Sequence, residues 1–271
     1  MPHCQNNRSS NLEIRHVLSR ISFPNLQLFR NHRTTMHATL VSLNVGLPRE
    51  VTWHGMNVTT GIFKQPAAGR IALRKMNLDG DRQADLTVHG GKDKAVYCYP
   101  LKHYEFWKKE LPGRELTMGM FGENFTIDFS DLDSSNPDFS DEHSPENSIH
   151  IGDQFAVGSA EVVVTQPRLP CYKLGVKFQM DDMVKRFLAS GRSGFYVAVL
   201  REGEVGVGDE VRLIHRDSAA LPISEITRLY ITKRFSEYDA DSVQRALQVD
   251  ALPESWKEYF RERLQAMRPT V

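Results

Sequence analysis

Apolar residues are distributed along this chain in two regimes. From Met36 to about Arg216 they come in short runs rich in Val, Ile, Thr and aromatics, broken by Gly, Pro and Asp. Thr39 to Val45, Gly69 to Leu73, Ala160 to Thr165, Tyr196 to Leu200 and Glu210 to His215 are such runs. Their length and spacing predict a mainly β domain over 36–220, with the sheet closed into a barrel or folded into a sandwich. Two stretches interrupt that pattern with a helical period. Pro100 to Leu111 brings Tyr104, Trp107 and Leu111 to one face, and Met180 to Ala189 does the same with Met183, Phe187 and Leu188. Large apolar residues in that arrangement read as core, not as cofactor contacts.

After Pro222 the period is helical throughout. Ser224 is the expected N-cap for Glu225 to Thr232, Asp239 or Asp241 for Ser242 to Gln248, and Pro253 opens Glu254 to Met267. A small three-helix subdomain over 221–271 follows. Its last helix carries Trp256, Phe260, Leu264 and Met267 as one stripe, which must pack on the other helices, on the barrel, or on a second subunit in a homodimer.

Two polar segments stand apart. Residues 128–148 are acidic, rich in Ser, Asp and Asn, and hold no Lys or Arg, as expected of a solvated loop. Residues 1–35 set Arg8, Arg15, Arg20, Arg30 and Arg33 against the single acid Glu13. An Arg-rich, acid-poor start describes either a transit peptide, which would make the protein mitochondrial, or an untranslated or disordered extension upstream of Met36.

Composition narrows the function. The 271 residues are 40% hydrophobic and 25% charged, with 34 basic residues against 34 acidic ones. No whole-molecule field therefore draws the chain to a nucleic-acid polymer or an anionic membrane, and any anion binding must be local. No apolar run approaches the roughly 18 residues of a membrane span, and the secretory apolar core is missing. An intracellular, cytoplasmic protein is expected. Cys4, Cys98 and Cys171 lie far apart without a C-x-x-C pair, which supports neither a disulfide framework nor a zinc or iron–sulfur site. Redox work by this chain would need electrons from another protein.

Three clusters carry candidate chemistry. Leu78 to Gly91 joins a Gly-Asp turn to His89 followed by Gly90 and Gly91, a pair whose backbone can approach an anion closely. Met120 to Phe125 places Glu123 and Asn124 just after Gly122, where a carboxylate and an amide could meet a heterocycle edge or simply satisfy a turn. Thr165 to Leu174 brackets Cys171 with two prolines and two cations, Arg168 and Lys173. The prolines argue for an exposed, extended loop, and the cations favour a thiolate, which is both nucleophile and soft metal ligand.

The ordered series Gly80-Asp81, Val88-His89-Gly90-Gly91, Phe121-Gly122-Glu123-Asn124 and Pro167-Arg168-Leu169-Pro170-Cys171-Tyr172-Lys173 resembles the MOSC family, named for the C-terminal domain of molybdenum cofactor sulfurase. It is most similar to the YiiM-like branch, associated with resistance to 6-N-hydroxylaminopurine, and the likeness runs from about Leu40 to Met267. The resemblance implies a β-barrel with peripheral helices and a molybdenum cofactor whose metal is held by Cys171. It implies cofactor contacts at Gly90, Gly91, Gly122, Glu123 and Asn124, with Arg168 and Lys173 on the cofactor's phosphate. His89 is the implied acid, base or orienting group behind the metal's ligands, and Lys64 an implied charge partner near the site. The activity implied is reduction of N-hydroxylated small molecules, such as hydroxylaminopurines and amidoximes, to amines. Since the chain lacks the cysteines of the ferredoxin-like domain that some MOSC proteins add, an external reductase is implied as well. A cofactor carrier or storage protein without turnover would use the same motifs; a metal-free cysteine hydrolase built on Cys171 and His89 is the third reading.

Overall fold

In the first strand the alternation of apolar and polar residues changes phase, and the structure shows why. The computed structural model describes residues 37–85, 90–129 and 144–267. Strand β1, His37–Val45, buries Ala38 and Leu40 and then Leu43. Its pairing with β7, Phe125–Asp128, slips by one residue between Leu40 and Ser42. Such a bulge turns the next residues to the opposite face, so Leu43 points inward where strict alternation would have put it outside.

Strand β1 pairs antiparallel with β7 on one side and with β12, Glu210–His215, on the other. The circuit is completed by β6, Val96–Pro100, β8, Gln154–Val157, β9, Ala160–Pro167, and β10, Phe195–Arg201. In order, β12-β8-β9-β10-β6-β7-β1 closes back on β12, giving a seven-strand barrel in which β6 and β7 are the parallel pair. Closure leaves no free edge among these strands. Phe125, Ile127, Phe155, Val157, Val162, Phe195, Val197 and Val211 fill its interior. Small additions sit around it: β4, Gln65–Pro66, extends from β1, and β5, Ile71–Leu73, pairs with β11, Gly203–Val205. β2, Arg49–Trp53, and β3, Met56–Thr60, form a hairpin whose turn residues His54 and Gly55 both have positive φ, the primed turn that matches strand twist.

Outside the barrel, α1, Lys102–Glu110, α2, Tyr172–Phe178, and α3, Met183–Ser190, cover β6 with a second apolar cluster. Tyr99, Tyr104, Trp107, Phe121, Phe178 and Phe187 are its large members, and the Trp107 indole donates to Tyr99 Oη at 2.7 Å. Strand β6 is therefore buried along its whole length, one face in the barrel and the other under the helices.

The C-terminal helices are α4, Ile223–Ile231, α5, Glu237–Gln248, and α6, Glu254–Gln265. Ile226, Leu229, Val243, Trp256 and Phe260 belong to the same core cluster as the barrel interior, so the stripe on α6 packs within the chain. Trp256 Nε1 also donates to Gln166 Oε1, tying α6 to β9.

Several expectations change at element ends. Pro222, not Ser224, caps α4, and α5 begins earlier than expected, at a capping box formed by Ser236 and Asp239. Residues 128–148 are not solvated throughout: Asp128 ends β7, Phe129 is buried, and a 3-10 turn at Pro145–Asn147 buries Pro145 and Glu146. Glu146 accepts from His103 Nε2 at 2.8 Å and from Gly194 N at 2.7 Å, which explains why this end must be inside. The middle of that segment, the 1–35 stretch and His89 lie outside the described residues. No helix among the described residues is long and apolar enough to cross a membrane.

Candidate functional site

Strand β9 runs out at Pro167 beside the start of β10, where Pro167 pairs with Phe195. A proline cannot donate to the ladder, so the chain leaves the sheet there and crosses the barrel's rim as Arg168-Leu169-Pro170-Cys171. Tyr172 then opens α2, with Cys171 as its half-buried N-cap in extended backbone, a free thiol at the end of the extended stretch that two prolines suggested and at the head of a helix.

This crossing forms one wall of a cleft with about 680 Å³ of empty space, open to solvent. Gly61, Ile62 and Lys64 line a second wall, Arg82 to Ala84 a third, and Gly90, Lys94, Tyr97, Gly122, Asn124, Lys173 and Tyr196 complete it. Of the residues singled out from sequence, Lys64, Gly90, Gly122, Asn124, Arg168, Cys171 and Lys173 thus meet in one place. Gly91 and Glu123 are not among the lining residues. Gly91 instead caps the 3-10 turn Lys92–Lys94 that carries Lys94 to the cleft.

Behind the lining is a polar frame that explains the Gly-Asp and Gly-Glu-Asn motifs. Asp81, buried, accepts from Gly46 N at 2.9 Å, from Asn124 Nδ2 at 2.9 Å and from Lys64 Nζ. Asn124 gives its second amide proton to Asn44 O at 3.1 Å, while its Oδ1 accepts from Tyr97 N at 3.2 Å. Both of its amide protons are therefore committed to the frame, which fixes how Asn124 stands in the cleft. Glu123, fully buried, accepts from Gly119 N at 2.8 Å, Phe121 N at 3.1 Å, Thr126 Oγ1 at 3.0 Å and Tyr104 Oη. It holds the 119–124 loop closed, with burial pushing its carboxyl up. Gly122 has φ +81, and a Cβ there would stand 2.8 Å from Ile62 Cγ1, so the loop and the Ile62 wall meet only with glycine between them.

Electrostatically the cleft is one-sided. Lys64, Arg82, Lys94, Arg168 and Lys173 are its basic lining residues, and no carboxylate lines it among the described residues. Burial holds the Lys64 ammonium below its ordinary value, with Asp81 opposing. Burial also lowers Lys94 and raises the Tyr196 phenol, which Arg168 beside it partly offsets. Arg168 is the most unusual of these groups. The residue is 6% exposed, with its guanidinium carbon 4.9 Å from the Tyr97 ring centroid and 5.0 Å from that of Phe187. Its Nη1 is buried without a hydrogen-bond partner among the described residues. A buried cation with an open donor is costly unless an anion completes it.

No group of three His, Cys, Asp or Glu able to hold a metal ion occurs among the described residues. A metal bound at Cys171 would have to bring most of its ligands with it. Tyr97, Lys94, Arg82 and Tyr196 received no role from sequence reasoning. Lys94 had a usable signal, three residues past the second glycine of the pair; Tyr196 had none, because strand alternation does not reveal which loop crosses above it.

Comparison with known proteins agrees with this arrangement. Residues 85–212 match the model of the MOSC domain, and residues 221–266 match the model of the YiiM-like, 3-alpha helix domain. Protein YflK of Bacillus subtilis (strain 168) is 36% identical over 85% of this chain and 96% of its own length. Protein YiiM of Escherichia coli (strain K12) is 30% identical over 75% of this chain and 84% of its own. The crystal structure of YiiM from Geobacillus stearothermophilus superposes with a TM-score of 0.65 at 34% identity, covering 84% of this chain and 99% of that one. A protein named Reductase from Gibberella moniliformis (strain M3125 / FGSC 7600) is similar over 67% of this chain but only 30% of its own length, at 29% identity. With both family models matched and relatives similar over most of their length, the chain belongs to the MOSC-domain family, in its YiiM-like branch.

Proposed function

We propose that the cleft holds a molybdenum cofactor, with the metal on Cys171 and the cofactor's phosphate on Arg168 and Lys173, and that the protein reduces N-hydroxylated small molecules to amines. The observation that carries this reading is the buried Arg168 guanidinium with an unpartnered Nη1, lining the same carboxylate-free cleft as the half-buried Cys171 thiol. A phosphate supplies the missing acceptor, and a guanidinium supplies it with charge-assisted bonds. A single thiolate suffices where the remaining ligands are sulfurs of the cofactor itself.

Bound there, the cofactor would supply the two-electron redox chemistry that reductive cleavage of an N–O bond needs. Conversion of R–NH–OH to R–NH2 and water consumes two electrons and two protons. The electrons come from an external reductase, and the relative named Reductase makes redox chemistry the natural class for this site. The chain supplies the protons and the positioning. Lys64 Nζ, lining the cleft and held by Asp81, is one proton source, and its burial weakens its hold on the proton. His89, next to Gly90 in sequence, is the second, since imidazole is the side chain suited to exchanging protons at neutral pH. Leu169 and Ile62 give the cleft an apolar lining.

Molybdenum content by elemental mass spectrometry, on wild type and Cys171→Ala from a cofactor-competent host, tests the reading. About one metal per chain in wild type and none in the variant is expected. A wild type without molybdenum beside a loaded control would refute it. Metal without consumption of reductant on adding hydroxylaminopurine or an amidoxime would leave a carrier.

A further inference from the structure

The rim of the cleft carries a cationic feature that no expected cofactor contact explains. Phe63 stands between Ile62 and Lys64, both of which line the cleft. Arg49, from β2, holds its guanidinium carbon 3.9 Å from the centroid of the Phe63 ring. Lys177, from α2, holds Nζ 4.8 Å from the same centroid. Lys173, one helical turn before Lys177, lines the cleft, so rim and cleft are continuous along α2.

An aromatic face attracts a cation, but two cations drawn to one small ring repel each other. Burial lowers the proton affinity of Lys177, and Arg49 lowers it further; the buried Glu123 pulls the other way from within the 119–124 knot. Neither Arg49 nor Lys177 forms an ion pair among the described residues. Two cations on one ring, with no carboxylate between them among the described residues, are charges that an anion bound beside the ring would complete. Phosphate fits, since the guanidinium can bind two of its oxygens and the ammonium a third.

We propose that Arg49, Phe63 and Lys177 form a phosphate subsite at the mouth of the cleft, which takes the 5′-phosphate of a nucleotide whose N-hydroxylated base enters the cleft. The choice of base rests on the function proposed above; the phosphate subsite does not. Two cations gathered on one ring are matched to a single compact anion, whereas a docking face for an acidic protein would spread its charges.

The test uses holo-protein, N6-hydroxyadenosine and its 5′-monophosphate. Binding is measured by equilibrium dialysis, and turnover with reduced methyl viologen as electron donor. The double variant Arg49→Met and Lys177→Met keeps the apolar stems against Phe63 and removes both charges. Wild type is expected to bind the monophosphate about tenfold more tightly than the nucleoside, the order of one good charge-assisted contact. The double variant should bind the two equally and reduce the nucleoside as wild type does. Equal binding by wild type, or a phosphate preference that survives in the variant, overturns the proposal. So does loss of molybdenum from the variant, which would assign the rim to the cofactor's phosphate. A variant that changes only the KM for a protein electron donor also overturns it and makes the rim a docking face. If the nucleoside is reduced with no gain from phosphate, the subsite falls and the reductase reading stands; a phosphate preference without any reduction leaves the reverse.

Discussion

Replacing Glu123 with glutamine keeps the shape of the side chain but spoils a knot in which every neighbour donates. Oε1 receives Tyr104 Oη, Gly119 N and Thr126 Oγ1, while Oε2 receives Phe121 N. A glutamine can satisfy the three donors with its own oxygen, and its amide then faces the Phe121 N–H. An unpaired buried donor costs about 1–3 kcal/mol, and the other bonds lose their charge-assisted strength. Against this, burial pushes the Glu123 carboxyl up, so the glutamine is spared part of the cost of a buried charge. The net loss expected is about 2 kcal/mol, or roughly 4–8 °C in Tm for a protein of this size. Urea and thermal denaturation of wild type, Glu123→Gln and Glu123→Ala measure it, with alanine expected to cost about 4 kcal/mol because it leaves all the donors unpaired. A glutamine variant within about 0.5 kcal/mol of wild type would refute the claim that this carboxylate holds the loop.

Arg168→Met should raise the stability of the cofactor-free protein by about 1–2 kcal/mol, since it removes a buried charge with an open donor, yet lower molybdenum retention at least tenfold. A urea midpoint that falls instead would make the guanidinium a structural group. At Gly61 a Cβ would lie 2.4 Å from Arg82 O, so Gly61→Ala should cost about 1–3 kcal/mol and displace the Arg82 to Ala84 wall, seen as weaker cofactor retention. Asp153 and His150 pull stability in opposite directions with pH. Burial raises Asp153 to about 6, so its contribution is full below 3.8 and lost as pH rises through 6. Burial depresses His150 to about 4, so its contribution is full above 6.5 and lost as pH falls through 4. Between pH 4 and 6 the two offset each other, and over that range His150→Gln should make stability fall with rising pH by about 2 kcal/mol after solvent screening. A denaturation midpoint in that variant that stays flat or rises with pH would contradict this assignment.

Where a strand is more covered on one face than the other, the pattern was readable: β9 alternates over its first half, and its span from Ala160 was evident. Strand β6 was not, because Val96-Tyr97-Cys98-Tyr99-Pro100 is buried on both faces and shows no period. Helix α2 is seven residues long and follows two prolines, so local preference pointed to extended chain while packing of Leu174 and Phe178 on the aromatic cluster decided otherwise. The motifs marked the site correctly as a locality. They could not separate Arg168, which lines the cleft, from Glu123, which props it from behind, because both are a polar residue beside a turn in sequence. That difference comes from long-range partners: Asp81 meets Asn124, and Tyr104 meets Glu123, only after the barrel closes. The Arg49–Phe63–Lys177 rim was illegible for the same reason, its members coming from a hairpin, a loop and a helix.

The bond from Trp256 to Gln166 joins the last helix to the strand that delivers the cysteine loop, and the helices share the barrel's apolar interior. Residues from Thr35 onward form one compact unit. The junction between the two matched family models, after residue 212 and before 221, is then a seam in ancestry with no counterpart in cooperativity. A protein cut there would lose more than its helices: the apolar surface they cover on the barrel, and the strand end held by Trp256, would be left open.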